Sequence, residues 1–355
     1  MSFPSPSASI QQIGRLARRV LAVGALALLP ACFSPAPDRP TEVVLKSGKV
    51  LVGEVRGIKG GILDFVAADG EELPLPRTHV RAVEGNGPHA DPALFWRKIA
   101  RGGAQPPDDF VRTAHHADGT GSLDVGVAAY EQPGSGRRVY LVGAVHVAHI
   151  ETFAAQQSLL DSMDLVLWEG VGASEKPEPE VLERFDVLFK SQVMLKNVLD
   201  LDFQLEQIDY ERSFWRNSDM SINEVEAALT ERGLPLIPNE EVFRAVFGTL
   251  FKLVDPESIP RNPTVGKMYR ASIAPLMADI DAVMDQAGSR GLKEVLIELR
   301  NEVVIEDLVD VLAEPGPERI GVYYGAAHLP GMDRALRDEM GLDYLGVHWI
   351  PAWRY

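Results

Sequence analysis

The chain has 355 residues, 46% of them hydrophobic and 24% charged, an ordinary globular composition that suits about two domains. Its formal net charge of −16 excludes a nucleic-acid binder that works through a broadly basic surface. Cys32 is the only cysteine, which excludes an internal disulfide.

Arg15, Arg18 and Arg19 precede the apolar run Leu21 to Leu29. That run is shorter than the roughly 20 residues a membrane-spanning helix needs. It ends in Leu29-Pro30-Ala31-Cys32, with a small residue before the cysteine and leucine three before it. This resembles a bacterial lipobox. The resemblance implies a signal peptide over 1–31, export, cleavage before Cys32 and diacylglycerol on its sulfur. Phe33 rather than aspartate comes next, which in a two-membrane bacterium implies anchoring in the outer membrane, facing the periplasm. Without residues 1–31 the formal charge becomes −19, so the lipid and not electrostatic attraction would hold the body at the membrane.

Residues 32–40 are a Pro-rich tether. Over 41–86, strand-like runs at Glu42–Lys46, Val50–Ile58, Ile62–Val66, Glu72–Pro74 and His79–Val83 alternate with Ser-Gly, Gly-Gly and Asp-Gly turns. This spacing predicts a small all-β domain, and it resembles an Sm-like or SH3-like barrel. Such a unit suits a structural or docking role, with an unknown partner. Residues 87–121, rich in Gly, Pro and Asp, read as a linker around one short helix, Ala93–Arg101. His115 and His116, beside Asp118-Gly119, read as an exposed loop.

The main domain is predicted over 122–355. Strands are expected at Leu123–Glu131, Val139–Val142 and Asp164–Trp168, with a helix over Ile150–Ser162 between the last two. That βαβ order predicts parallel pairing with a right-handed crossover. Residues 173–275 show mostly helical spacing. A longer helical stretch, Pro275–Leu312, is expected to break near 288–291. After it come a strand at Ile320–Tyr324, a helix within His328–Met340 and a final strand at Tyr344–Trp349. The predicted class is therefore an α/β domain with a large helical portion, preceded by a small all-β domain.

Two segments share one design. Val139-Tyr-Leu-Val-Gly143-Ala-Val-His146 and Gly321-Val-Tyr-Tyr-Gly325-Ala-Ala-His328 each run from an apolar strand through glycine and two small residues to histidine. A third apolar strand ends in Trp168-Glu169-Gly170. In open α/β sheets, ligands bind beyond the carboxyl ends of the strands. Two imidazoles and a carboxylate brought there can hold a divalent ion with open positions. His149, three residues after His146, is a further candidate if a helix starts at Ile150.

These paired motifs resemble the TraB/PrgY/Tiki superfamily, also called GumN-like. So do "DLVLWEG", "QLEQIDYERSFWRNSDMS" (204–221), "VLIELRNEVVIEDL" (295–308) and "GVYYGAAHLPGM". The resemblance runs from about Leu123 to Tyr355. It implies an α/β fold and a hydrolase, peptidase-like in the Mn- or Co-dependent animal members. Carried over, it assigns His146, Glu169, Arg300 and His328, with a divalent ion (Mn, Co or Zn) on His146, Glu169 and His328. Glu169 and Arg300 would be catalytic. Asp209-Tyr210 and Asp219 match the middle segment, as supporting groups, a substrate wall or helix caps, and Tyr324 is read as either a residue that lines the site or one that packs in the core. For Arg300, an ion pair with Glu298 or Glu302 is the plainer alternative, since a buried arginine needs a partner. The expected substrate is an exported peptide or protein, or a small molecule. The rival reading is a non-catalytic lipoprotein that sequesters a peptide or cofactor.

Overall fold

The computed structural model describes residues 41–45, 47, 49–59, 62–76, 79–84, 105–171, 179–235, 250–251, 253–279 and 290–355. The signal segment, Cys32, the tether, the helix expected at Ala93–Arg101 and the break expected near 288–291 lie outside these ranges, apart from 290–291.

The N-terminal strands fall where the glycine-punctuated pattern places them. They are β1 (Thr41–Leu45), β2 (Val50–Lys59), β3 (Ile62–Ala67), β4 (Glu72–Pro76) and β5 (Val80–Glu84), paired antiparallel in the order β4-β3-β2-β1-β5. Along β3, Leu63 and Phe65 are fully buried while Ile62 and Asp64 are exposed, the period-2 signature of a sheet with one wet face. The buried face does not close on itself. Val43, Leu51, Leu63, Phe65 and Val80 pack with Ile150 and Ala154 of helix α1 (Ile150–Leu160), so the small sheet sits on the main domain.

The main sheet is built from β6 (Val111–His115), β7 (Gly121–Glu131), β8 (Arg138–Ala144), β10 (Leu165–Trp168), β12 (Trp215–Asn217), β13 (Arg319–Gly325) and β14 (Asp343–Arg354). They run in the order β12-β10-β13-β8-β7-β14, with β6 also paired to β7. A separate two-stranded pair joins β9 (Val147–Ala148) to β11 (Asp202–Phe203). The class is mixed α/β, as the pattern predicts, with three differences. The main sheet begins inside the expected linker, because β6 and β7 form a hairpin closed by Asp118, whose Oδ1 accepts from the Thr120 N–H and hydroxyl. His115 therefore ends a strand, and His116 bonds Ser122 at 3.0 Å. β8 and β10 are both parallel to β13 rather than neighbours, since β13 lies between them. Finally, the mostly helical region also carries the two short strands β11 and β12.

β8 and β13 are buried on both faces, which explains why they read as continuous apolar runs. Tyr140, Val142 and Tyr323 face one core with Phe153, Leu159 and Leu160 of α1. Val139, Leu141, Val322 and Tyr324 face the other, with Val304, Leu308 and Leu312 of the helix Leu299–Ala313. Arg137 ties that helix down. Its guanidinium donates to the carbonyls of Val311, Leu312, Glu314 and Pro317 at 2.9–3.2 Å, satisfying acceptors at the helix end and placing a cation on its negative pole. Among the described residues no helix is long and apolar enough to cross a membrane.

Candidate functional site

The carboxyl ends of β10, β13 and β8 lie side by side, with Trp168 opposite Tyr323 and Tyr324 opposite Gly143. The backbone N–H of Glu169 still bonds the Tyr323 carbonyl at 3.0 Å, so the ladder delivers the acid to the last residues of β13. There Glu169 Oε2 accepts from the Gly325 N–H. A Cβ at Gly325 would lie 3.0 Å from Glu169 Oε2 and 3.6 Å from the His328 ring, so glycine is what lets the carboxylate reach the backbone.

Arg300 is the hub. It comes just after a π-helical turn at Glu294–Glu298, a distortion often found beside functional groups. Its Nε and Nη2 grip Asp219 at 2.9 and 2.7 Å, Nη2 reaches Glu169 Oε1 at 2.6 Å, and Nη1 reaches the Leu296 carbonyl at 3.0 Å. The plainer alternative is thereby overturned. Glu298 and Glu302 are exposed, because residues two apart point to different sides of a helix, while Arg300 faces inward. Burial pushes the Glu169 pKa up, but Arg300, His328 and His146 outweigh it and hold the carboxyl down to about 2.

His328 is 2% exposed. Asn301 holds it twice: Nδ2 donates to the His328 carbonyl at 3.1 Å, and Oδ1 faces Nδ1 at 2.7 Å. The amide orientation puts the ring proton on Nδ1 and leaves the Nε2 lone pair toward Glu169 Oε1, 3.6 Å away, and toward Arg300 Nη1 at 3.3 Å. Burial first, then Arg300 and His146, hold its pKa down to about 4. Gly331 leaves room for Asn301, since a Cβ there would stand 2.6 Å from Nδ2. Tyr324 packs edge-on against the His328 ring at 5.2 Å and donates to the Ser218 carbonyl.

No family model, curated protein or solved structure matches the chain.

The two Gly-x-x-His segments do not fold alike. After Gly325 the chain enters a 3-10 turn, Ala326–His328, and the helix Leu329–Arg334, which carries His328 inward. After Gly143 the strand stops at Ala144, the chain bends at His146 and enters the short β9, and His146 stays exposed at the rim, near enough to lower the pKa values of Glu169 and His328. Its carbonyl accepts from the Gln204 N–H at 2.9 Å. The fold thus gathers Glu169, Asp219, Arg300, His328 and Tyr324, with His146 at the edge. Among the described residues no three His, Cys, Asp or Glu side chains are grouped closely enough to hold a metal ion, and Arg300 occupies the space between the two inner donors.

Two sequence candidates lie elsewhere. Asp209 accepts from the Glu211 N–H and pairs with Arg212 at 3.5 Å, closing a local turn. His149 does begin a helix, but its imidazole faces Arg270 and Arg354. Burial, then those two cations, lowers its pKa to about 3. The unfolded chain takes up a proton below about pH 6.5 while the folded chain does not, so stability is complete above that pH and drains as pH falls toward 3. Between pH 7 and pH 5 this one group is expected to cost about 2 kcal/mol. Urea titrations at both pH values check it, because His149→Gln should flatten the difference by that amount. An unchanged pH slope would refute the assignment.

Asn301, Tyr210, Tyr323 and Gln204 complete the surroundings. Tyr210 lies on Trp168 with ring centroids 4.6 Å apart and meets Trp215 and Tyr323 at 5.6 and 6.5 Å. The sequence signal for Asn301 was a second polar residue beside Arg300 on an otherwise apolar helix face, whereas Tyr210 was already named through its match to the middle segment.

Proposed function

We propose that the chain is a lipid-anchored hydrolase of the cell envelope, TraB/Tiki-like in its main domain, that cleaves an amide-type bond in an exported peptide or a small substrate. One observation carries the reading. An ionised glutamate, a neutral buried imidazole and a clamped guanidinium meet at the carboxyl edge of a parallel sheet, with a second imidazole at the rim. Packing alone gives no reason to bury this charge and satisfy it so fully.

Exposure and hydrogen bonding divide the roles. Arg300, fixed by Asp219, keeps positive charge beside the place where a carbonyl oxygen turns negative. Glu169, the more exposed of the two carboxylates, orients the attacking water and takes its proton. His146, at the rim, passes a proton to the leaving group. The donor chemistry also suits a divalent ion, with an anionic carboxylate and a histidine whose Nδ1–H is held by Asn301. Such an ion (Mn, Co or Zn) would be held by His146, Glu169 and His328, and when bound would acidify water and polarise the scissile carbonyl.

Purified protein, stripped with chelator and reloaded with Mn, Co or Zn, should cleave a fluorogenic peptide library, and His146→Ala should lose both metal uptake and turnover. A protein that takes up none of these ions and turns over nothing would favour the sequestering lipoprotein instead.

A further inference from the structure

Tyr210 is linked to both chain segments that carry His146 and Glu169. Its ring lies on Trp168, the residue before Glu169, at 4.6 Å. Its oxygen accepts from Gln204 Nε2 at 3.0 Å, and the backbone of Gln204 is tied to the His146 carbonyl at 2.9 Å. With that acceptor position filled, the phenol still has one O–H to give, and among the described residues no hydrogen bond uses it. Its neighbour Tyr323 differs, because the Tyr323 hydroxyl is spent on Gln156 Oε1 at 3.0 Å. Tyr210 is also only partly buried, whereas Tyr323 is 1% exposed.

From this juxtaposition we infer that Tyr210 is a catalytic hydrogen-bond donor, whose O–H is aimed at the substrate's carbonyl oxygen between His146 and Glu169. The inference rests on the hydrolase reading. As the water oxygen bonds to the carbonyl carbon, the water's proton passes to Glu169 and the carbonyl π pair moves onto oxygen. That oxyanion accepts from the Tyr210 O–H. When the pair returns, the C–N bond breaks and the leaving nitrogen takes, by way of His146 at the rim, the proton that Glu169 received from the water, so the carboxylate is restored and the phenol donates throughout without losing its own. Burial raises the Tyr210 pKa, and the charge on Glu169 raises it further, which keeps the group a neutral donor at neutral pH. A donor placed for the oxyanion acts mainly on kcat.

The test is Tyr210→Phe in the full-length protein, assayed on the fluorogenic peptide library beside wild type and Tyr323→Phe. Loss of kcat by about 100-fold with KM within about threefold is the expected result, with the melting temperature lowered by only a few degrees because Gln204 Nε2 loses its acceptor. Tyr323→Phe should lose far less kcat. Equal kcat in Tyr210→Phe and wild type, or a rise in KM alone, would overturn the inference while leaving the hydrolase reading in place. A wild type that cleaves nothing removes both.

Discussion

Replacing Arg300 with methionine should destabilise the protein by about 3–5 kcal/mol and abolish turnover. Removing the guanidinium leaves two carboxylates, Glu169 and Asp219, facing each other across the space it filled, with side chains 16% and 0% exposed. Water cannot replace the lost cation at Asp219, so its charge must either stay unpaired or be neutralised by a proton. Arg300→Lys should recover only part of the loss. One ammonium can approach one oxygen at a time, whereas the planar fork meets Asp219 through two nitrogens and Glu169 through one of them. Chemical denaturation of the three proteins measures the effect. A methionine variant within 1 kcal/mol of wild type would mean that Arg300 is not the group that holds the centre together.

Much of the fold was legible in the sequence, because strongly periodic or strongly apolar segments decide their own conformation. The strands of the small sheet are set off by glycine turns, and β8, β10 and β13 are apolar runs that stop at Gly143, Glu169 and Gly325. What was not legible depends on distant partners. β11 and β12 are two and three residues long, too short to carry a period, and form only because β9 and β10 offer free edges. The placement of β13 between β8 and β10 joins segments about 150–180 residues apart, which no local pattern encodes.

The site shows the same division. Four of the main residues could be named from strand ends and the family resemblance, and Asp219 from its match to the middle segment, but the grip of Arg300 on Asp219 could not be read, since the two lie 81 residues apart. The two histidine motifs were read as equivalent. Their fates are set by the next two residues of each. Leu329-Pro330 starts a helix, with proline in its first turn where a missing N–H costs nothing, while Val147-Ala148 forms a short strand.

Glu169→Gln and Asp219→Asn should separate chemistry from folding, though both carboxylates touch the same arginine. Asp219 accepts from Arg300 Nε and Nη2 and from the backbone N–H groups of Gly170 and Met220, and its side chain is fully buried. An amide there must turn an NH2 toward donors, so Asp219→Asn should cost about 3 kcal/mol or more in stability. Glu169 takes one bond from Arg300 and one from Gly325, and part of it faces the cleft. Its amide can keep one oxygen on Gly325 while Arg300 remains paired with Asp219, so Glu169→Gln should lose no more than about 1–2 kcal/mol. Turnover should fall by about 1,000-fold or more, because the amide can neither take a proton from water nor oppose the positive charge of Arg300. Urea melts set beside peptide-library rates give both numbers for each variant. If Glu169→Gln unfolds the protein while Asp219→Asn leaves it stable but inactive, the roles are reversed and the chemistry belongs on the Asp219 side of the arginine.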